Sequence, residues 1–361
     1  MKFSVTEDGM DPTRDKVVEA IVGEFLHHGH CLSSELDEAN FVLNVTDIES
    51  PRAGRRRSQS VFIITVVAGN GHQPDIRSLC YRTLVRTLSN LLIYVGPSNG
   101  LASEIYFTTP EAGFYHLPFD PEEVYRRMLP IAGAHYAIEN QFSTDLPKRL
   151  WHTSPIVAQI KRYGKELDNL GVLPTPFPLR EVLGEEGLRH LYKIYGITGL
   201  SYGNLSAREL VPELGATTFW MTGRGVDKAI LAKVGTDILL VKGFIDERGV
   251  ALVSAPPDCD VKARVSVDAV EHELIYRTFA DVGAIVHVHA WMKDVYCTRQ
   301  NYPCGTRELA EEVVDLLART GDPTRTAVGL KNHGLTITGQ SLAEIFERIR
   351  GRLLTEVPMF T

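Results

Sequence analysis

Two histidines, His287 and His289, stand two residues apart in the apolar run Ala284-Ile-Val-His-Val-His-Ala-Trp291. Side chains alternate between the faces of a β-strand, so both imidazoles leave on the same side. Buried imidazole nitrogens need partners, and one divalent metal ion would satisfy both rings. The alternative is an ordinary core pair, with one ring hydrogen-bonded inside the protein and the other there by chance. A third imidazole is available at His333, where the turn Lys331-Asn-His-Gly334 enters the apolar run Leu335-Thr-Ile-Thr338. Three histidines leave a metal position open for water or substrate, the pattern of a catalytic site rather than a closed structural one.

These side chains depend on the elements that carry them. Ser266-Val-Asp268 precedes a helical pattern with Val270, Leu274, Ile275 and Phe279 on its apolar face, and Asp281-Val-Gly283 turns the chain into the histidine strand. A helix of about thirteen residues rises roughly 20 Å, and a returning strand covers similar ground in about six residues. Asp268 therefore lies level with the far end of the strand, near His289. Its residue type suits an N-cap, and a carboxylate beside a metal-bound substrate is also a candidate general base. Upstream, Gly203-Asn-Leu-Ser-Ala-Arg208 and Phe219-Trp-Met-Thr-Gly-Arg-Gly225 form two glycine-bearing turns. Backbone N–H groups in such turns, with the Arg224 guanidinium, are suited to an anion, although the glycines could equally serve only for positive φ.

The chain has 361 residues, which leads to an expectation of about two domains. Its net charge of -7 gives no reason to expect nucleic acid as a partner. The five cysteines are scattered and form no CxxC pair, which fits a reducing cytoplasm better than a disulfide framework. No apolar run approaches the ~20 residues of a membrane span, and the N-terminus does not read as an export signal.

Residues 1–174 alternate strand-like and helix-like stretches, with strands at Lys2–Val5, Phe41–Val45, Val61–Val67, Leu92–Val95 and Glu104–Thr108. Helices are expected at Thr13–His28, Asp75–Leu91, Glu122–Gln141 and Pro155–Leu170, giving a small α/β domain. Gly69-Asn-Gly71 lacks the third glycine of a dinucleotide fingerprint, and Arg55-Arg-Arg57 reads as a solvated loop. Pro174, Pro176 and Pro178 mark a linker, because proline continues neither helix nor ladder. It separates residues 1–174 from a second domain over 175–361, which opens with a helix from Glu185 to Tyr195.

Gly203-Asn-Leu-Ser, Met221-Thr-Gly-Arg-Gly, Ser266-Val-Asp, Asp281-Val-Gly-Ala-Ile-Val-His-Val-His and Lys331-Asn-His-Gly, in this order and spacing, resemble the class II aldolase/adducin family over residues 180–350. The resemblance implies an α/β/α domain with a central, mainly antiparallel sheet, preceded here by the smaller α/β domain. It implies a divalent metal on His287, His289 and His333, zinc foremost with Fe, Mn or Co as alternatives, and acid/base work for Asp268. Asn204, Ser206, Arg224, Gly225 and Ser266 then fall in the substrate- and anion-binding region. The activity implied is that of a lyase acting on a small hydroxy-carbonyl substrate through a metal-stabilised enediolate, in a homotetramer. Epimerisation, dehydration, Fe(II)-dependent oxidative decarboxylation and an adducin-like scaffold are the alternatives within the resemblance. Asp268 stands where the aldolase branch has Glu and the ribulose-phosphate epimerase branch has Asp. Ser266-Val267 replaces a pair of serines and Arg224 a threonine, which points to a carboxylate-bearing or differently placed anion.

Overall fold

The computed structural model describes residues 1–55, 61–69, 74–97, 103–173, 179–195, 201–260 and 262–361. Parts of Arg55–Arg57, Gly69–Gly71 and the proline linker lie outside these residues. Internal packing divides the chain into two compact units. One comprises residues 1–134, 177–194 and 359–361, the other 135–176 and 195–358.

The first unit contains β1 (Lys2–Glu7), α1 (Pro12–His27), β2 (Cys31–Leu32), β3 (Phe41–Val45), β4 (Phe62–Ala68), α2 (Ile76–Thr87), β5 (Leu91–Val95), β6 (Glu104–Thr108), β7 (Phe114–Pro118) and α3 (Pro121–Ala132). Its sheet runs in the order β2-β1-β3-β4-β5-β6-β7, parallel as far as β5 and antiparallel beyond it. Every residue of β3, β4 and β5 is buried, as continuous β-branched and apolar runs require in a parallel sheet covered on both faces. Asp11 caps α1 by accepting from the backbone N–H groups of Thr13 and Arg14.

The second unit begins with β8 (Glu139–Ser143) and α4 (Pro155–Asn169). After α5 (Leu179–Tyr195), nearly all of which packs with the first unit, come β9 (Asn204–Arg208), β10 (Phe219–Thr222), β11 (Ile238–Ile245), β12 (Val250–Ser254), α6 (Ala269–Thr278), β13 (Ala284–Val288), β14 (Tyr296–Cys297), α7 (Arg307–Ala318), β15 (Ala327–Leu330), β16 (Gly334–Gly339) and α8 (Leu342–Ile349). The sheet order is β14-β15-β16-β13-β9-β10-β11-β12-β8, antiparallel except at the two outermost pairs. The segment Glu122–Gln141 is not one helix. Gly133 ends α3 after Ala132, and Glu139–Ser143 instead pairs in parallel with β12, so this sheet begins upstream of residue 174.

Alternation along β13 divides the layers. Ala284, Val286 and Val288 pack with α4 and α8, while Ile285 packs with α6 and α7 on the other face. The α/β/α layering follows, and the period-2 rule puts His287 on the α6 side. Among the described residues no helix is long and apolar enough to cross a membrane.

Candidate metal centre

The three histidines converge. Their ligand nitrogens lie within 4.8 Å of one another, and the ring centroids are separated by 4.8 to 5.2 Å. His289 Nε2 and His333 Nε2 face each other at 3.2 Å. His287 Nδ1 lies 3.1 Å from the Leu335 carbonyl, so it carries the proton and donates, which leaves Nε2 as the lone-pair atom. His289 Nδ1 is buried with no hydrogen-bond partner among the described residues.

Backbone sterics place the rings. Asn332 has φ 59°, a left-handed conformation that asparagine tolerates better than most residues, and the His333 N–H closes the turn onto the Leu330 carbonyl at 3.0 Å. Gly334 then lets β16 approach β13: a Cβ there would lie 2.2 Å from the Val288 carbonyl oxygen. On the opposite side Gly203, at φ 76°, leaves no room for a Cβ, which would lie 2.5 Å from the His287 carbonyl oxygen. The histidine strand is thus clamped by glycine backbone on both sides.

Burial holds all three imidazoles below their ordinary pKa, His289 and His333 strongly so. For His287, burial is the largest influence and the Asp268 charge partly opposes it. Three neutral rings whose ligand nitrogens converge are a donor set that suits a borderline divalent cation.

Asp268 occupies the start of α6, but its side chain makes no capping hydrogen bond. It accepts from Asn204 Nδ2 at 2.6 Å instead, drawn toward the sheet, and its charge acts on His287. Asn204 Oδ1 is buried and unpartnered among the described residues. Ser206 lies deeper along β9, fully buried, its hydroxyl shared between His272 Nδ1 at 2.7 Å and Tyr276 Oη at 2.8 Å. Arg224, Gly225 and Ser266 are brought together by a short ladder. Arg224 N–H donates to the Arg264 carbonyl at 2.7 Å, Ser266 N–H donates to the Thr222 carbonyl at 3.2 Å, and Gly225 has φ 68°. The Arg224 guanidinium donates to the Ile138 carbonyl at 3.1 Å, while its Nε is buried without a partner among the described residues.

Two buried ionisable groups at the site had no signal of their own in the sequence. Lys228, only 3% exposed, donates through Nζ to the Ser201 carbonyl at 2.6 Å, and burial lowers its pKa to about 8. Glu271, one helical turn after Asp268, accepts from Thr336 Oγ1 at 2.6 Å. Burial first, then the Asp268 charge, pushes its pKa up to about 8. Thr336 is the cross-strand partner of His287, so this carboxyl lies beneath the histidine strand.

Residues 186–299 match the family model described as the Class II Aldolase and Adducin N-terminal domain. Among solved structures, an L-fuculose 1-phosphate aldolase is similar at 21% identity and TM-score 0.37, covering 56% of this chain and 83% of that one. YgbL from Escherichia coli, named with aldolase, epimerase and decarboxylase as alternatives, is similar at 18% identity and TM-score 0.34, covering 54% and 82%. An aldolase II superfamily protein from Pseudomonas syringae is similar at 18% identity and TM-score 0.34, covering 55% and 73%. No curated protein sequence matches the chain.

Proposed function

From the premise that residues 186–299 belong to the class II aldolase/adducin family, we propose that this chain is a metal-dependent lyase that opens a carbon–carbon bond in a small hydroxy-carbonyl substrate. The observation that carries the reading is the convergence of three neutral imidazoles, His287 and His333 buried and His289 half-buried, next to a carboxylate held 2.6 Å from Asn204. His287, His289 and His333 would hold the cation, zinc in our reading. When bound it supplies Lewis acidity toward the substrate oxygens that gain negative charge.

The remaining work falls to the protein. Asp268 accepts the proton that leaves the substrate hydroxyl as the bond opens and returns it to the carbon fragment. Asn204 occupies Oδ2 of that carboxylate, so Oδ1 is the atom that moves the proton. Arg224, Gly225 and Ser266 seat the substrate's anionic group. Ser206 acts at one remove, by fixing α6 on the sheet through His272 and Tyr276. The catalytic part is residues 175–361 together with β8, in a cytoplasmic homotetramer.

The test is metal analysis of protein purified without oxygen, paired with an aldehyde-release assay on hydroxy-acid and sugar-phosphate substrates. One zinc per chain and aldehyde release that is lost in Asp268→Asn are the expected results. Stoichiometric iron with oxygen uptake would replace the lyase by an oxidative decarboxylase. Metal-free protein that assembles normally would leave a scaffold.

A further inference from the structure

Lys228 is a buried cation that the proton-transfer chemistry above does not use. It follows Gly225-Val-Asp227 on the turn after β10, and α4 packs on its backbone: a Cβ at Gly164 would lie 2.4 Å from the Lys228 carbonyl oxygen. The side chain therefore runs inward. Its backbone N–H and Nζ both donate to Ser201, at the head of the segment whose next residues meet His289 (Tyr202), His287 (Gly203) and Asp268 (Asn204). The charge of the neighbouring Asp227, and after it that of Asp268, partly offsets the burial of Lys228, whose own charge acts on His287 and His289.

Neither Lys228 nor Arg224 has a carboxylate within 4.0 Å among the described residues. Among the described residues, an ammonium buried with a single carbonyl acceptor and no ion pair is costly, and so is a guanidinium whose Nε is buried without a partner. The two cations also stand in different surroundings. Arg224 lies against Ile138 and feels Cys304, Arg264 and Tyr136, whereas Lys228 lies against Ser201 on the side of the histidines. Asp268 is the one group whose charge acts on both. Two cations held on different carbonyls, neither in an ion pair among the described residues and both only partly offset by the Asp268 charge, call for two anionic groups rather than one.

Resting on the lyase reading, we propose that Lys228 and Arg224 are two distinct anion anchors and that the substrate is a small hydroxy- or oxo-acid carrying a negative group at each end. The carboxylate next to the reacting oxygen goes to Lys228, on the histidine side. The distal carboxylate or phosphate goes to Arg224.

Titration calorimetry on the full-length, zinc-loaded protein tests this with four probes. Malate carries both heads, 3-hydroxybutyrate lacks the carboxylate beside the hydroxyl, lactate lacks the distal one, and 3-phosphoglycerate has phosphate at the distal end. Malate or 3-phosphoglycerate is expected to bind at least tenfold tighter than either single-headed acid, and whichever is tighter names the distal group. Lys228→Met should erase the advantage over 3-hydroxybutyrate, and Arg224→Met the advantage over lactate. Because Lys228→Met removes a buried charge that has no ion pair among the described residues, its thermal midpoint should hold or rise, whereas a purely structural lysine would lower it. Equal binding of one- and two-headed acids overturns the proposal, as does an unchanged ratio in Lys228→Met or inorganic phosphate binding as tightly as 3-phosphoglycerate. If Lys228→Met does not fold, the ratios in the unaltered protein decide. Metal content measured on the same samples separates the two readings. A two-headed preference in metal-free protein sinks the lyase and keeps the anchors, and one metal without the preference does the reverse.

Discussion

Asn204 Nδ2 donates to Asp268 Oδ2 at 2.6 Å, turning a carboxylate at a helix start away from its own helix and toward the histidine strand. Removing the amide frees the carboxylate to rotate. Asn204→Ala should lower kcat by ~10–100-fold, the usual effect of losing a partner that orients a site group. Metal content should be unchanged, which a metal assay beside steady-state kinetics will show.

His333 reaches the other two imidazoles from the turn between β15 and β16, so His333→Ala should abolish stoichiometric metal while the sheet persists. In the unaltered protein, zinc at one hundred times its dissociation constant should stabilise the folded state by about 2.7 kcal/mol. Thermal melts with and without zinc check both points, and the zinc-dependent shift should vanish in the variant.

Gly334→Ala puts a Cβ 2.2 Å from the Val288 carbonyl oxygen, where only backbone can yield. A cost of about 1–3 kcal/mol or more is expected, together with weaker metal binding because His333 and β13 must move apart. Chemical denaturation and a zinc competition assay read the two effects separately.

Glu271 should make stability fall as pH rises. Its carboxyl titrates near the ordinary value of 4.5 in the unfolded chain and at about 8 when folded, so between these values the folded state binds more protons. The stabilising proton is fully present below about pH 4.5 and lost through about pH 8. Glu271→Gln should flatten this slope and raise the melting temperature at pH 8 relative to the unaltered protein. Thr336→Val, which takes away the Glu271 donor, should cost ~1–3 kcal/mol.

The convergence of the three histidines was legible in the sequence because strand alternation and the Asn-His-Gly turn are local rules: His287 and His289 share a face, and Asn332 supplies the turn that presents His333. The helix-then-strand length argument also brought Asp268 to the site, though its charge acts on His287 rather than His289. Lys228 was invisible because Gly-Val-Asp-Lys reads as a solvated turn, and its burial comes from α4 closing over that turn at Gly164. Glu271 was hidden in the same way, since a glutamate in a first helical turn is ordinary until β16 is packed against it. The error at Glu122–Gln141 arose because helical periodicity does not report that Glu139–Ser143 has a strand partner more than one hundred residues later.

That late pairing has a practical consequence for handling the protein. With β8 in place, β12 is an interior strand of the second sheet; a chain begun at residue 175 would leave it as a bare edge. An uncovered edge offers free N–H and C=O groups to any other chain, which invites self-association. A fragment starting at residue 175 should therefore aggregate on concentration, and one starting at residue 135 should remain dispersed, a contrast that light scattering resolves directly.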